Sequence, residues 1–72
     1  MNSTNLTIEF FEKMLGKKIK VDFSSLKKPR IGYLIDIYKD RKTKEPVIVL
    51  ELSFGKYEDR KLSKVKSVEE LS

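Results

Sequence analysis

Over 6–15 the apolar residues Leu6, Ile8, Phe10, Phe11, Met14 and Leu15 share a broad arc of one helical face at about 100° per residue, with Glu9, Glu12 and Lys13 opposite. The pattern predicts one short amphipathic helix. Thr4 or Asn5 supplies its N-cap oxygen, Glu9 sits near the positive end of its dipole, and Gly16 takes the left-handed conformation that closes it. Roughly three turns do not persist alone in water, so the apolar arc has to rest on other elements.

The period then changes from 3.6 to 2. Over 18–24, Ile19, Val21 and Phe23 alternate with Lys18, Lys20 and Asp22, the pattern of a half-buried strand. The polar, basic stretch up to Pro29 reads as a loop, because proline offers no ladder donor. A second strand over 30–39 carries Ile31, Tyr33, Ile35 and Ile37 on one face and Leu34 and Tyr38 on the other. We expect the first set, Tyr33 included, to face the core. Gly32 is the expected site of a bulge or sharp bend. The segment 39–45 has no apolar residue and must be an exposed turn. Val47, Ile48, Val49, Leu50, Leu52 and Phe54 give a third strand over 46–54, and Gly55 permits a tight turn into a fourth over 57–62. Leu62, Val65 and Val68, spaced by three, suit a short 3₁₀ turn leading into a closing strand over 65–68. Phe10, Phe11 and Phe23 are expected in the core.

One helix followed by five short strands, joined by links that favour antiparallel pairing, gives a mainly β fold in a single domain over 1–72. We expect a small five-stranded antiparallel barrel, with the helix plugging an open end or covering a sheet edge. An open five-stranded sheet is the competing architecture.

The chain holds no Cys and no His, which removes disulfides, the usual zinc ligands, a thiol nucleophile and an imidazole base. Glu58 and Asp59, like Glu69 and Glu70, are adjacent and on strands point to opposite sides, so neither pair forms an acid/base or metal dyad. A chain of 72 residues has no room for a cleft between two domains. No catalysis, metal or cofactor is expected. The longest aliphatic run, 47–50, is too short to span a bilayer, and no basic segment followed by a long apolar stretch opens the chain, so a cytoplasmic protein with no membrane partner is expected.

Charge is the strongest functional signal. Sixteen Lys and Arg face eleven Asp and Glu, a net +5, and the excess gathers at 13–30 (+6), 39–44 (+3) and 56–66 (+3). A barrel would bring these segments onto one side as a track for phosphates. The candidate contacts are Lys18 and Lys20 on the first strand, Lys27, Lys28 and Arg30 at the first loop, Lys39, Arg41, Lys42 and Lys44 at the second, and Arg60 and Lys61 on the fourth strand. Arginine grips phosphate with a planar fork, although Arg60 has a structural alternative in pairing with Glu58 or Asp59. Tyr38, beside Lys39 and Arg41, is the best placed of the tyrosines to stack on a base.

The run Leu15-Gly16-Lys17-Lys18-Ile19-Lys20-Val21 after a helix, a basic loop, Ile31-Gly32-Tyr33-Leu34 and then 47–52 resembles the Sm-like barrels, from about Leu6 to Val68. Members of that family pass from a helix through a Leu-Gly-Lys step into the first strand and carry Gly-x-Leu in a bent second strand. The pattern is most similar to the Sm-like C-terminal domain of bacterial ribosome-maturation factors. Where Sm proteins place the Asp and Asn of a uridine pocket, this chain has Tyr38 and Lys42, and Leu62 and Ser63 stand near the family's Arg-Gly pair. The resemblance therefore implies the fold and a general association with RNA, without uridine recognition or ring assembly.

Together these readings point to a basic RNA-binding module, ribosomal or ribosome-associated, that contacts structured RNA mainly through its phosphates. Two alternatives stay open. One is a protein-interaction module docking by its helix face or a strand edge, and the other is a small-barrel chromatin protein that binds duplex DNA.

Overall fold

The hydroxyl of Thr7 accepts a hydrogen bond from the backbone N–H of Phe10 at 3.2 Å and starts helix α1, Ile8–Glu12, in the computed structural model, which describes residues 7–71. Thr4 and Asn5, the expected caps, and Leu6 lie outside the described residues. The helix is also shorter than its apolar arc predicts. From Met14 onward the backbone turns by i→i−3 bonds (Met14 N–H to Phe11 C=O, 2.9 Å; Lys17 N–H to Met14 C=O, 3.0 Å). Gly16, at φ +85°, then gives its N–H to Leu34 C=O at 2.7 Å. The strand that holds Leu34 thus takes the Gly16 donor, and Leu34 N–H returns a bond to Lys17 C=O at 3.1 Å, in place of further helix.

The strands are β1 (Lys18–Phe23), β2 (Arg30–Lys39), β3 (Pro46–Ser53), β4 (Lys56–Lys61) and β5 (Val65–Glu70). All neighbours pair antiparallel in one sheet of order β4-β3-β2-β1-β5. The two edge strands are consecutive in sequence, joined only by the 3₁₀ turn Leu62–Lys64. Flat, five strands would put their edges about 19 Å apart at roughly 4.8 Å per step, whereas the four Cα steps from Lys61 to Val65 reach about 14 Å at most. The sheet is therefore rolled. Among the described residues β4 and β5 do not pair with each other, so the sheet is not the closed barrel that we expected.

Inside the roll lie Phe11, Met14, Ile19, Val21, Phe23, Leu34, Ile48, Leu50 and Leu62. The alternation of β1 holds, with Ile19, Val21 and Phe23 fully buried. Phe10 is only half-buried, its ring edge-on to Phe11 at 5.6 Å. On β2 the expected faces are exchanged: Leu34 is buried, while Ile31, Tyr33 and Ile35 are 46%, 47% and 42% exposed. Register explains the exchange. Ile19 points inward and pairs with Gly32, so Gly32 and Leu34 point inward with it. A Cβ on Gly32 would lie 2.5 Å from the Glu51 carbonyl oxygen; glycine is there because β2 and β3 approach so closely. The irregularity expected at Gly32 falls instead between Leu34 and Asp36, and it restores Ile37 to the inner face opposite Ile48.

Candidate nucleic-acid interface

The β2–β3 turn is built on one carboxylate. Asp40 Oδ1 accepts from the backbone N–H groups of Lys42 (2.8 Å) and Thr43 (3.4 Å), and the Asp40 C=O accepts from Lys44 N–H (2.7 Å). Aspartate favours such turns because its side chain bonds the backbone two residues on. Arg41, Lys42 and Lys44 are thereby left exposed around a fixed backbone, with Lys44 at φ 61°.

Long-range contacts tie this turn to the rest of the charged segments. Glu45 accepts from Ser63 Oγ and from Lys61 Nζ, each at 3.2 Å, joining the turn to Leu62–Lys64. The hydrogen bonds from Lys61 and Ser63 hold the Glu45 carboxyl below its ordinary range. On the other side of the 3₁₀ turn, Ser24 N–H donates to Lys64 C=O at 2.8 Å, which fixes the root of the loop carrying Lys27 and Lys28. Arg30, after that loop, gives its Nε to Glu58 Oε1 at 3.0 Å and one Nη to the Lys28 C=O at 3.3 Å; Arg60 gives Nη2 to Glu58 Oε2 at 2.7 Å. The Arg60 hydrogen bond, more than the charge of either arginine, keeps Glu58 below the ordinary carboxylate range. The Nε of Arg60 is buried and has no acceptor among the described residues.

Segments 24–30, 40–45 and 58–64 thus form one linked group. They hold nine Lys and Arg against four carboxylates, while the rest of the chain balances seven against seven, so the group carries the whole net charge of +5. Lys27, Lys28, Arg41, Lys42 and Lys44 are exposed and make no ion pair among the described residues. Arg30, Arg60 and Lys61 are already engaged with carboxylates.

The other sequence candidates lie elsewhere. Lys18 and Lys20 stand on the outer face of β1, opposite Tyr33 and Ile31 of β2. Lys20 also lies opposite Glu69 and, with Asp22, Pro29, Ser67 and Val68, lines a cleft of about 410 Å³, where carboxylates offset its charge. Lys39 ends β2, exposed. Tyr38 is exposed on the outer face as expected, but its hydroxyl donates to Asp59 Oδ2 at 2.6 Å, and that hydrogen bond raises its pKa. Sequence reasoning missed the outer face of β2 and β4, where Ile31, Tyr33, Ile35 and Tyr57 are exposed, and the β3–β4 turn, where Phe54 is exposed. Among the described residues no group of three or more His, Cys, Asp or Glu is placed to hold a metal, and none of their helices is long and apolar enough to cross a membrane. No protein-family model, curated protein or solved structure matches the chain.

Proposed function

We propose that this chain is a small basic RNA-binding module of the cytoplasm, ribosomal or ribosome-associated, and that the rolled sheet is an incompletely closed Sm-like barrel. The observation that carries the binding proposal is the gathering of all the net charge into three segments linked through Leu62–Lys64. Lys27, Lys28, Arg41, Lys42 and Lys44 hold phosphates, while Arg30 and Arg60 brace the surface through Glu58. Contacts of this kind follow the shape and charge of a folded RNA more than its sequence. The resemblance of 15–21 and 31–34 to the Sm-like pattern supports RNA, and edge strands joined by a 3₁₀ turn suit a barrel. Duplex DNA is less well served. The exposed apolar residues that would wedge between base pairs share their face with Asp36, Glu51 and Asp59 as well as with Lys18 and Lys20, so that face is not a uniformly basic surface for a duplex.

Affinity for a structured RNA, measured from low to high salt, tests the proposal. Log K should fall linearly with log salt, because each neutralised phosphate releases counterions. A flat response, or no binding at low salt, overturns it, and a five-fold or larger preference for duplex DNA reassigns the partner.

One observation favours the protein-interaction alternative, and it relocates that surface. Phe11 and Met14 are buried in the protein's own core, so the helix has little apolar surface to offer, whereas the outer sheet face has much.

A further inference from the structure

Three residues stand side by side across the outer face, Tyr33 on β2, Glu51 on β3 and Tyr57 on β4, each directly opposite the next in register. Directly opposed residues have Cβ atoms about 5 Å apart, so both tyrosines flank the Glu51 carboxylate. Phe54 tops the β3–β4 turn with its side chain fully in solvent, at 102% of its reference exposure. Tyr33, Glu51, Leu52, Ser53 and Phe54 together line a cavity of about 210 Å³. Drug-sized ligands take sites of roughly 300–1,000 Å³, so this one suits a single side chain. Glu51 makes no hydrogen bond or ion pair with another side chain among the described residues, unlike Glu45, Glu58 and Glu70.

We infer that the cavity between Tyr33, Glu51 and Phe54 is a docking site for an arginine side chain presented by a protein partner. The pocket sets an unpaired carboxylate beside the Tyr33 ring, with the Phe54 ring free in solvent at its rim, and a guanidinium meets both groups: it forks onto Glu51 and lays its plane on a ring. A lysine ammonium would satisfy the charge without the stacking plane. The surroundings select the occupant by charge. Asp36 and Asp59 flank Val49 one row along the same face, while Lys18 stands opposite Tyr33 and Lys56 opposite Ser53; with Glu51 the three carboxylates outnumber the two lysines and favour a cation over a phosphate, and a second copy presenting the same face would set carboxylate against carboxylate. The site is separate from the basic segments and does not depend on their binding RNA.

The test is a titration of the ¹⁵N-labelled full chain with a blocked pentapeptide holding arginine between two leucines, followed by amide chemical shifts. The expected result is saturable shifts centred on Tyr33 and 51–55, with the same peptide carrying glutamate in place of arginine giving none. Glu51→Gln and Phe54→Ala should each weaken the association five-fold or more with the melting temperature unchanged. Absence of saturation, shifts spread equally over Asp36, Asp59 and Glu69, or a Glu51→Gln protein that binds as well as the parent overturns the proposal. So does a concentration-dependent mass abolished by Phe54→Ala without peptide binding, which would make the occupant a second copy. Shifts of 51–55 by a uridine-rich oligonucleotide, with none from the peptide, would give the face to nucleic acid and overturn it equally.

Discussion

Arg30, the first residue of β2, places its Nε 3.0 Å from Oε1 of Glu58 on β4, across the intervening strand β3. Arg30 lies at the start of β2, beyond the rows that pair with β3, and the roll of the sheet brings it to Glu58. Glu58 spends its second oxygen on Arg60, so one carboxylate fastens the roll to two guanidiniums.

That arrangement makes stability depend on pH. The carboxyl of Glu58 is depressed in the folded chain, chiefly by the Arg60 hydrogen bond, so its contribution is present above the unfolded carboxylate pKa. It is lost as the pH falls from about 5 through the lower folded value. Glu58→Gln should cost about 1.5 to 3 kcal/mol at pH 7, the usual scale for a hydrogen bond to a charged group, and should flatten the acid limb. The part supplied by Glu45 remains. Urea unfolding of both proteins at pH 7 and pH 3 checks this, and equal losses of stability on acidification would contradict it.

How much of this was legible in the sequence varies strand by strand. β1 could be read directly because only one of its faces is apolar. β2 could not, since Leu34 competes with Ile31, Tyr33 and Ile35, and the choice is made by partners distant in sequence: Ile19 fixes Gly32 inward, and Leu50 takes Leu34. Gly32 was the usable signal, because a glycine inside a strand marks close backbone approach as readily as a bulge. The charged segments were visible as composition. Their junction was not, because the links from Glu45 to Ser63 and from Ser24 to Lys64 belong to tertiary structure. Glu58 also engages two of the three arginines expected to meet phosphate.

Tyr38 should betray its hydrogen bond in a spectrophotometric titration. Asp59 accepts the phenolic proton, and ionising Tyr38 would set two anions side by side, so its pKa is raised. The neutral hydroxyl's contribution to stability is present below the unfolded tyrosine pKa and lost as the pH rises through the folded one. Tyr38→Phe should remove a late ionisation step and lower the neutral-pH melting temperature only slightly, as suits an exposed hydrogen bond. A late step that survives the substitution would assign it to another residue.

Replacing Arg41 and Lys42 together by alanine should weaken RNA binding several-fold and reduce the salt slope by about 2, roughly one for each phosphate no longer neutralised. The melting temperature should not fall, since both side chains are exposed and the turn is held by the Asp40 carboxylate and backbone donors. Parallel binding and melting measurements separate the two effects. A protein that binds normally removes this turn from the interface.

Phe23 offers the corresponding test of the core. It is fully buried among Ile19, Val21, Leu34 and their neighbours, and truncation to alanine should cost about 3 to 5 kcal/mol. In so small a domain that is a large share of the total stability, so the variant should be partly or wholly unfolded at room temperature by circular dichroism. A variant that keeps the parent's unfolding midpoint would mean that the inner face of β1 is not the centre of the fold.

Two glycines make a matched pair whose substitutions should differ for separable reasons. At Gly55 an added Cβ meets nothing within 4 Å, and the only penalty is the left-handed backbone at φ +78°. Gly55→Ala should therefore cost about 1 to 2 kcal/mol. At Gly32 the backbone is ordinary and the space is missing: the Cβ would lie 2.5 Å from the Glu51 oxygen, and the obstacle is main chain, not a side chain able to swing away. β2 and β3 must separate to admit it, straining the ladder on both sides of the Tyr33–Glu51 pair. Overpacking of this kind costs typically about 1 to 3 kcal/mol, and rigid backbone on both sides favours the upper part of that range. Gly32→Ala should be the more damaging of the two. Asparagine, which tolerates left-handed backbone, should recover part of the loss at Gly55 and none at Gly32. Urea midpoints for the four variants measure the contrast. Equal losses at the two sites, or recovery by asparagine at Gly32, would mean that the strands do not approach as closely as the register requires.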